Sequence, residues 1–268
     1  MDKTSHSLPI NYSCHLAEFR EGEQFVQTHA VGIVLEGSME LNDGETKETI
    51  REGEIYVVRK NQLLKFVKFP PPNGEFQSLS LRFDEQLLRD FSNEYGYTAE
   101  KQASRPVFYK FPENKSLSTF MHALIDYKDL DTDQHMLKLK QKEALLILLK
   151  LEPDLKNSLF DFSEPHKIDL EEFMQKNYHF NVQLDRFAYL TGRSLSTFQR
   201  DFAKIFHETP SRWLLQKRLQ EAYYLIREKG KKSSEIYLDL GFEDLSHFSF
   251  VFKKQYGVTA TELAGQRE

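Results

Sequence analysis

The chain has 268 residues, of which 40% are hydrophobic and 29% charged, with a net charge of −5. That is ordinary globular composition with room for two cores. One cysteine, Cys14, leaves no intramolecular disulfide and no cysteine metal cluster, and no apolar run approaches the roughly 18 residues of a membrane helix. No segment resembles a signal peptide, so the expectation is a cytoplasmic protein without membrane contact.

From about Phe25 to Phe83 the pattern predicts strands. Val31–Leu35 and Ile55–Val58 are short β-branched runs, and Met39-Glu40-Leu41 alternates into Asn42-Asp43-Gly44, a tight hairpin turn. Pro70 to Gly74 marks a loop before the strand Gln77–Phe83. Short strands with turns between them predict a small antiparallel barrel or jelly roll. After Asp84 the period changes. Leu117, Phe120, Met121 and Leu124 follow the spacing of an amphipathic helix. A second helix, from about Asp133 to Leu151, is apolar almost all round over Ala144–Leu149, and Pro153 ends it. The expectation is that this helix packs on two sides, its outer stripe forming an isologous dimer contact near Leu145 and Leu148. The competing expectation is that the chain covers the stripe itself. Asp161 to His166 reads as a linker, and Ile168–Asn177 opens a third helical region.

That region writes one grammar twice, about 50 residues apart. Leu184 to Phe202 and Ile236 to Lys254 each place a short apolar helix before a glycine (Gly192, Gly241). A second helix follows, with phenylalanines four residues apart (Phe198 and Phe202; Phe248 and Phe252). Such a pair anchors one helix face and leaves the other free for a DNA groove. Charge agrees once it is divided. Residues 165–268 hold 16 Lys+Arg against 14 Asp+Glu, a balance of +2, while the remainder hold 20 against 27, a balance of −7.

Gly241-Phe242, Ser246-His247-Phe248, Phe252-Lys253-Lys254 and Gly257-Val258-Thr259 carry a family resemblance. It extends back through Arg218-Leu219, Ala222, Leu225-Ile226 and Ser234-Glu235-Ile236. The C-terminal 100 or so residues resemble the DNA-binding domain of the AraC/XylS family of transcription regulators. The resemblance implies seven helices and two recognition helices in successive major grooves of promoter DNA, with activation through contact with RNA polymerase. The chain departs from the family pattern at Ala260, Leu263 and Ala264. It also lacks a common arginine at Phe250 and places Tyr237 where a small residue is usual. Less specifically, Gly32–Gly37, Gly53–Val58 and the stretch ending Leu88-Arg89-Asp90-Phe91 resemble the ExsA-like cupin-type regulatory domain.

The expected architecture is therefore α+β. A cupin-like barrel occupies residues 1–112, a helical dimerisation segment 113–160, and an all-α domain with two helix-turn-helix motifs 166–268. Gln199 and Arg200 suit direct readout, since an amide pairs bidentately with adenine and a guanidinium with guanine. Ser196 and Thr197 lie one turn earlier, within reach of bases or phosphates. In the second motif Leu245, Ser246 and His247 hold the corresponding turn, where Leu245 suits thymine methyls and His247 suits a phosphate or base edge, or a packing or capping role instead. Phe250 is either core or an exposed apolar contact. Lys204, Lys253 and Lys254 complete the candidate DNA contacts, although charged helix ends are commonly just solvated. Catalysis, metals and cofactors find no pattern. His29 stands alone where cupin enzymes carry several histidines, and phosphate-loop, nucleophile-elbow and paired-cysteine motifs are absent. The reading is a homodimeric regulator controlled by a small molecule or protein effector. A cupin-type binding protein or enzyme with a structural helical domain is the alternative.

Overall fold

Residues 9–20, 24–100, 106–127 and 134–265 are described by a computed structural model. The chain divides into two units, Met1–Glu21 with Val26–Ser163, and Gly22–Phe25 with Glu164–Glu268. The first is rich in sheet and the second is helical. In chain order the strands are β1 (Ile10–His15), β2 (Phe19–Arg20), β3 (Phe25–Val26), β4 (His29–Glu36), β5 (Ser38–Asn42), β6 (Lys47–Arg51), β7 (Ile55–Val58), β8 (Gln62–Leu63), β9 (Lys65–Phe69), β10 (Phe76–Phe83) and β11 (Phe108–Lys110). One sheet has the order β1-β10-β4-β7-β11 and another β2-β9-β5-β6, with antiparallel neighbours throughout.

The β5–β6 hairpin turns at Asp43-Gly44. The Asp43 carboxylate accepts from the Glu45 and Thr46 amides, and Gly44 takes the left-handed conformation the turn requires, at φ 94°. β4 is a continuous apolar run because both its faces are covered. Val31 and Ile33 join a core with the helices, whereas Ala30 and Val34 join a second core with Met39, Leu41 and Ile50. Gly32 lets the Tyr56 ring lie against the backbone, where a Cβ would stand 2.3 Å from Tyr56 Cζ.

Helices α1 (Glu85–Tyr95), α2 (Lys115–Ala123), α3 (Gln134–Leu151) and α4 (Lys156–Leu159) close the first unit. Asp84 caps α1 by accepting from the Leu87 amide at 2.8 Å. Leu87, Leu88 and Phe91 then enter the core beside Leu117, Phe120 and Met121 of α2. The residue expected to open α3, Asp133, lies outside the described residues. The same core takes Ala144, Leu145, Leu148 and Leu149 of α3, and the Gln141 side-chain amide donates to the Arg82 carbonyl of β10. This corrects the expectation at Leu145 and Leu148. Both are at most 1% exposed within a single chain, so neither side chain has surface left for a symmetry mate. The part of α3 that remains outward carries Met136, Leu139 and Leu146.

The second unit holds α5 (Leu170–Asn177), α6 (Leu184–Leu190), α7 (Leu195–Phe206), α8 (Pro210–Arg227), α9 (Ser233–Ile236), α10 (Leu245–Tyr256) and α11 (Ala260–Gly265), seven helices among the described residues. Pro210 starts α8, where its missing N–H costs nothing. Trp213 packs against Phe202 and Phe206 of α7, while Leu219, Ala222 and Ile226 further along α8 join Phe248 and Phe252 of α10.

Candidate nucleic-acid interface

The two helix-turn-helix motifs are α6–α7 and α9–α10, and their turns are built from the same hydrogen bonds. In the first, the Arg193 amide donates to the Ala188 carbonyl and the Gly192 amide to Tyr189. In the second, the Phe242 amide donates to Tyr237 and the Gly241 amide to Leu238. Both are Schellman closures around a left-handed glycine, Gly192 at φ 64° and Gly241 at φ 83°. Each glycine also abuts another backbone segment. A Cβ on Gly192 would stand 2.3 Å from the His166 carbonyl carbon, and one on Gly241 would stand 2.9 Å from the His179 carbonyl oxygen.

The recognition helices begin on side-chain caps. Ser194 accepts from the Thr197 amide at 3.3 Å, and Asp244 accepts from the His247 amide at 2.6 Å. Their anchors, Phe198, Phe202, Phe248 and Phe252, are wholly buried. On α7 this turns Ser196, Gln199, Arg200 and Lys204 outward, with Thr197 half-buried. The Arg200 side chain is 65% exposed, and its Nε lies 3.9 Å from an Asp201 oxygen, too far for a hydrogen bond. On α10 Leu245, Ser246, His247, Phe250, Lys253 and Lys254 all face out. Phe250, open between core and surface in the sequence, is 68% exposed. The His247 ring meets Phe242 edge-on at 6.1 Å.

Both units of the chain match known proteins. Residues 29–158 match a model described as the ExsA N-terminal regulatory domain, and residues 187–266 one described as a helix-turn-helix domain. The transcriptional regulator ExsA of Pseudomonas aeruginosa is 24% identical over 92% of this chain and 90% of its own length. The chain belongs to the AraC/XylS family. It is a DNA-binding transcription regulator with an ExsA-type N-terminal domain. The virulence regulon activator VirF of Yersinia enterocolitica is 27% identical over a 93-residue stretch, 35% of this chain and 34% of its own. An apo form of ToxT from Vibrio cholerae aligns over 98% of this chain and 99% of that one, with a TM-score of 0.47 and 13% identity.

Within this AraC/XylS chain the second motif differs from the first at Tyr237. Helix α9 stops at Ile236 and the chain continues in turns to Gly241, where a short apolar helix from Ile236 to the glycine is the expectation. Ala188, at the equivalent place, is 1% exposed inside the first motif. The tyrosine ring cannot enter such a gap, and it sits half-buried against the core around Phe248.

Two residues that no base-reading pattern singles out hold both motifs in place. Arg193, its side chain 6% exposed, pairs with Asp201 of α7. It also donates to the Ile168 and Thr191 carbonyls, and with Lys167 it holds the Asp201 carboxyl below its ordinary range. Arg218 of α8 donates to the Tyr178, Phe180 and Gly241 carbonyls at 2.8 to 2.9 Å. Burial lowers its pKa to about 10, so it stays charged at neutral pH. One guanidinium thus ties the turn of the second motif to the loop that precedes the first. Beside it lies a cleft of about 430 Å³ lined by Asn181, Gln183, Ser211, Glu243 and Asp244.

In the first unit His29 is buried, its Nδ1 accepting from the Lys60 amide at 3.3 Å. Burial, then Lys60 and Arg59, lower its pKa to about 3, so the ring is neutral. Among the described residues no three His, Cys, Asp or Glu side chains converge as a metal site. None of the helices there is long and apolar enough to cross a membrane.

Proposed function

We propose that α7 and α10 enter successive major grooves of double-stranded promoter DNA and that the bound regulator activates transcription by contacting RNA polymerase. Ser196, Thr197, Gln199 and Arg200 of the first motif and Leu245, Ser246, His247 and Phe250 of the second reach base edges or adjoining phosphates. Lys204, Lys253 and Lys254 hold the backbone. The observation that carries this reading is the outward face of α7, where an amide and a guanidinium stand exposed opposite two wholly buried anchors. Held side by side on that face, the amide suits adenine and the guanidinium suits guanine in the major groove.

The sheet-rich part, residues 1–112, serves in this reading as a cupin-type regulatory barrel for a small molecule or protein effector. Residues 113–160 support a homodimer, residues 166–268 bind DNA, and the protein works in the cytoplasm. Support for a dimer comes from the outward part of α3, where Met136, Leu139 and Leu146 are 42%, 60% and 39% exposed.

Binding to selected genomic fragments across a salt titration tests the DNA reading. Phosphate neutralisation gives a linear fall of log affinity with log salt. Arg200→Ala should weaken specific binding by about 1 to 3 kcal/mol and relax preference at one base pair. Lys254→Ala should weaken every sequence alike and reduce the salt slope by about 1. Variants that behave identically to each other on specific and random DNA would overturn these roles.

A further inference from the structure

The buried anchors put the two recognition helices in register, Phe198 with Phe248 and Phe202 with Phe252. Outward positions then correspond one by one. Ser196 answers Ser246, and Lys204 answers Lys254. At the outer pole the chemistry changes outright, since Arg200 answers Phe250. That position lies two residues beyond the first anchor, about 200° round the helix, and so forms the outer pole of each. Both side chains stand in solvent, Arg200 65% exposed and Phe250 68% exposed.

On α10 the Phe250 ring is the most exposed apolar group, with Leu245 of the first turn also apolar and 37% exposed. The Ser249 hydroxyl, at the place of Gln199, donates to the Leu245 carbonyl at 2.8 Å. The His247 ring leans on Phe242. Lys253 and Lys254, three and four residues on, share the outward face and suit phosphates better than an apolar protein partner. A phenyl ring offers neither a donor nor an acceptor for base edges. The feature of the major groove it matches is the 5-methyl group of thymine.

Resting on the DNA reading above, we propose that the two motifs read by different chemistry. The first selects its half-site through hydrogen bonds from Gln199 and Arg200. The second selects a thymine-bearing half-site through apolar contact between Phe250 and thymine methyls. The specificity of the second half-site therefore resides in groups that uracil lacks.

The test uses the full chain and a random-sequence duplex library copied with either dTTP or dUTP. Enrichment from the dTTP library defines the two half-sites, and Arg200→Ala marks the one read by the first motif. The other half-site should then lose affinity by about fourfold for each contacted methyl when thymine is replaced by uracil. Phe250→Ala removes no core contact, so it should stay folded, bind more weakly and become indifferent to the replacement. Phe250→Arg should shift preference at that site toward guanine. Equal wild-type binding to the thymine and uracil forms overturns the proposal, as does a Phe250→Ala variant that keeps the wild-type discrimination. Binding that bends the duplex but ignores the methyl would mean that Phe250 acts as a wedge between bases, which also overturns it. Failure to enrich any sequence would instead overturn the DNA reading beneath it.

Discussion

Gly192 and Gly257 both adopt left-handed backbone, at φ 64° and 75°, yet they stand in opposite surroundings. An added methyl at Gly257 meets nothing within 4 Å, whereas one at Gly192 collides with the His166 backbone. Gly257→Ala should therefore cost the conformational penalty alone, about 1 kcal/mol. Gly192→Ala should add an overpacking cost and lose about 3 kcal/mol in total. Thermal unfolding of the two variants measures the difference, and equal losses would contradict the close approach. His29 supplies a second residue-level expectation. Its pKa of about 3 lies below the ordinary 6.5, so below pH 6.5 the unfolded chain takes up a proton that the folded one refuses. Stability from the neutral ring is fully present above pH 6.5 and is lost as pH falls toward 3, by about 2 kcal/mol between pH 7 and pH 5. Glu54, Glu85 and Asp201 have lowered pKa values, and their stabilisation is lost at still lower pH. Urea unfolding at the two pH values should show the loss in the wild type and not in His29→Gln. The same loss in both would acquit His29.

At the scale of elements, Leu148→Lys separates an internal helix face from an interface. A lysine there would be buried without a partner, so the first unit should be destabilised by about 3 kcal/mol or more rather than merely dissociate. A folded variant of unchanged stability, followed by circular dichroism against denaturant, would place Leu148 at the surface after all. The burial of Leu148 also marks how far a sequence can be read. The apolar run Ala144–Leu149 announces a covered helix, but a helical period does not name the surface that covers it, and here that surface is the chain's own core. The tandem motifs were readable because their signals are local. A glycine at the turn, phenylalanines four apart and the polar residues between them sit within one or two helical turns. Arg218 was not readable as a clamp, because it pairs with backbone carbonyls, which leave no trace in residue identity, whereas Arg193 left a partial trace in its pairing with Asp201 eight residues on. Helix α1 left a trace that went unused, in the Asp84 cap and the spacing of Leu87, Leu88 and Phe91. In the second motif the short α9 ends just before Tyr237, which stands where the first motif buries Ala188.

At the scale of the molecule, a sheet-rich unit and a helical one divide the work, and the charge balance divides with them, −7 outside residues 165–268 and +2 inside. An acidic remainder is repelled by phosphate, which favours approach to the duplex through the helical unit. Within that unit α8 is shared property: Trp213 near its start packs on α7, and Leu219, Ala222 and Ile226 pack with α10. Eighteen residues of helix span about 27 Å, a little less than one turn of duplex, about 34 Å. Arg218 binds its middle to the loops on either side. If α7 and α10 read successive grooves as proposed, α8 acts as the ruler between them. On that reading, an operator with its half-sites moved by one base pair is rotated as well as displaced, and the side chains at either tip then face an error that lies in the shaft.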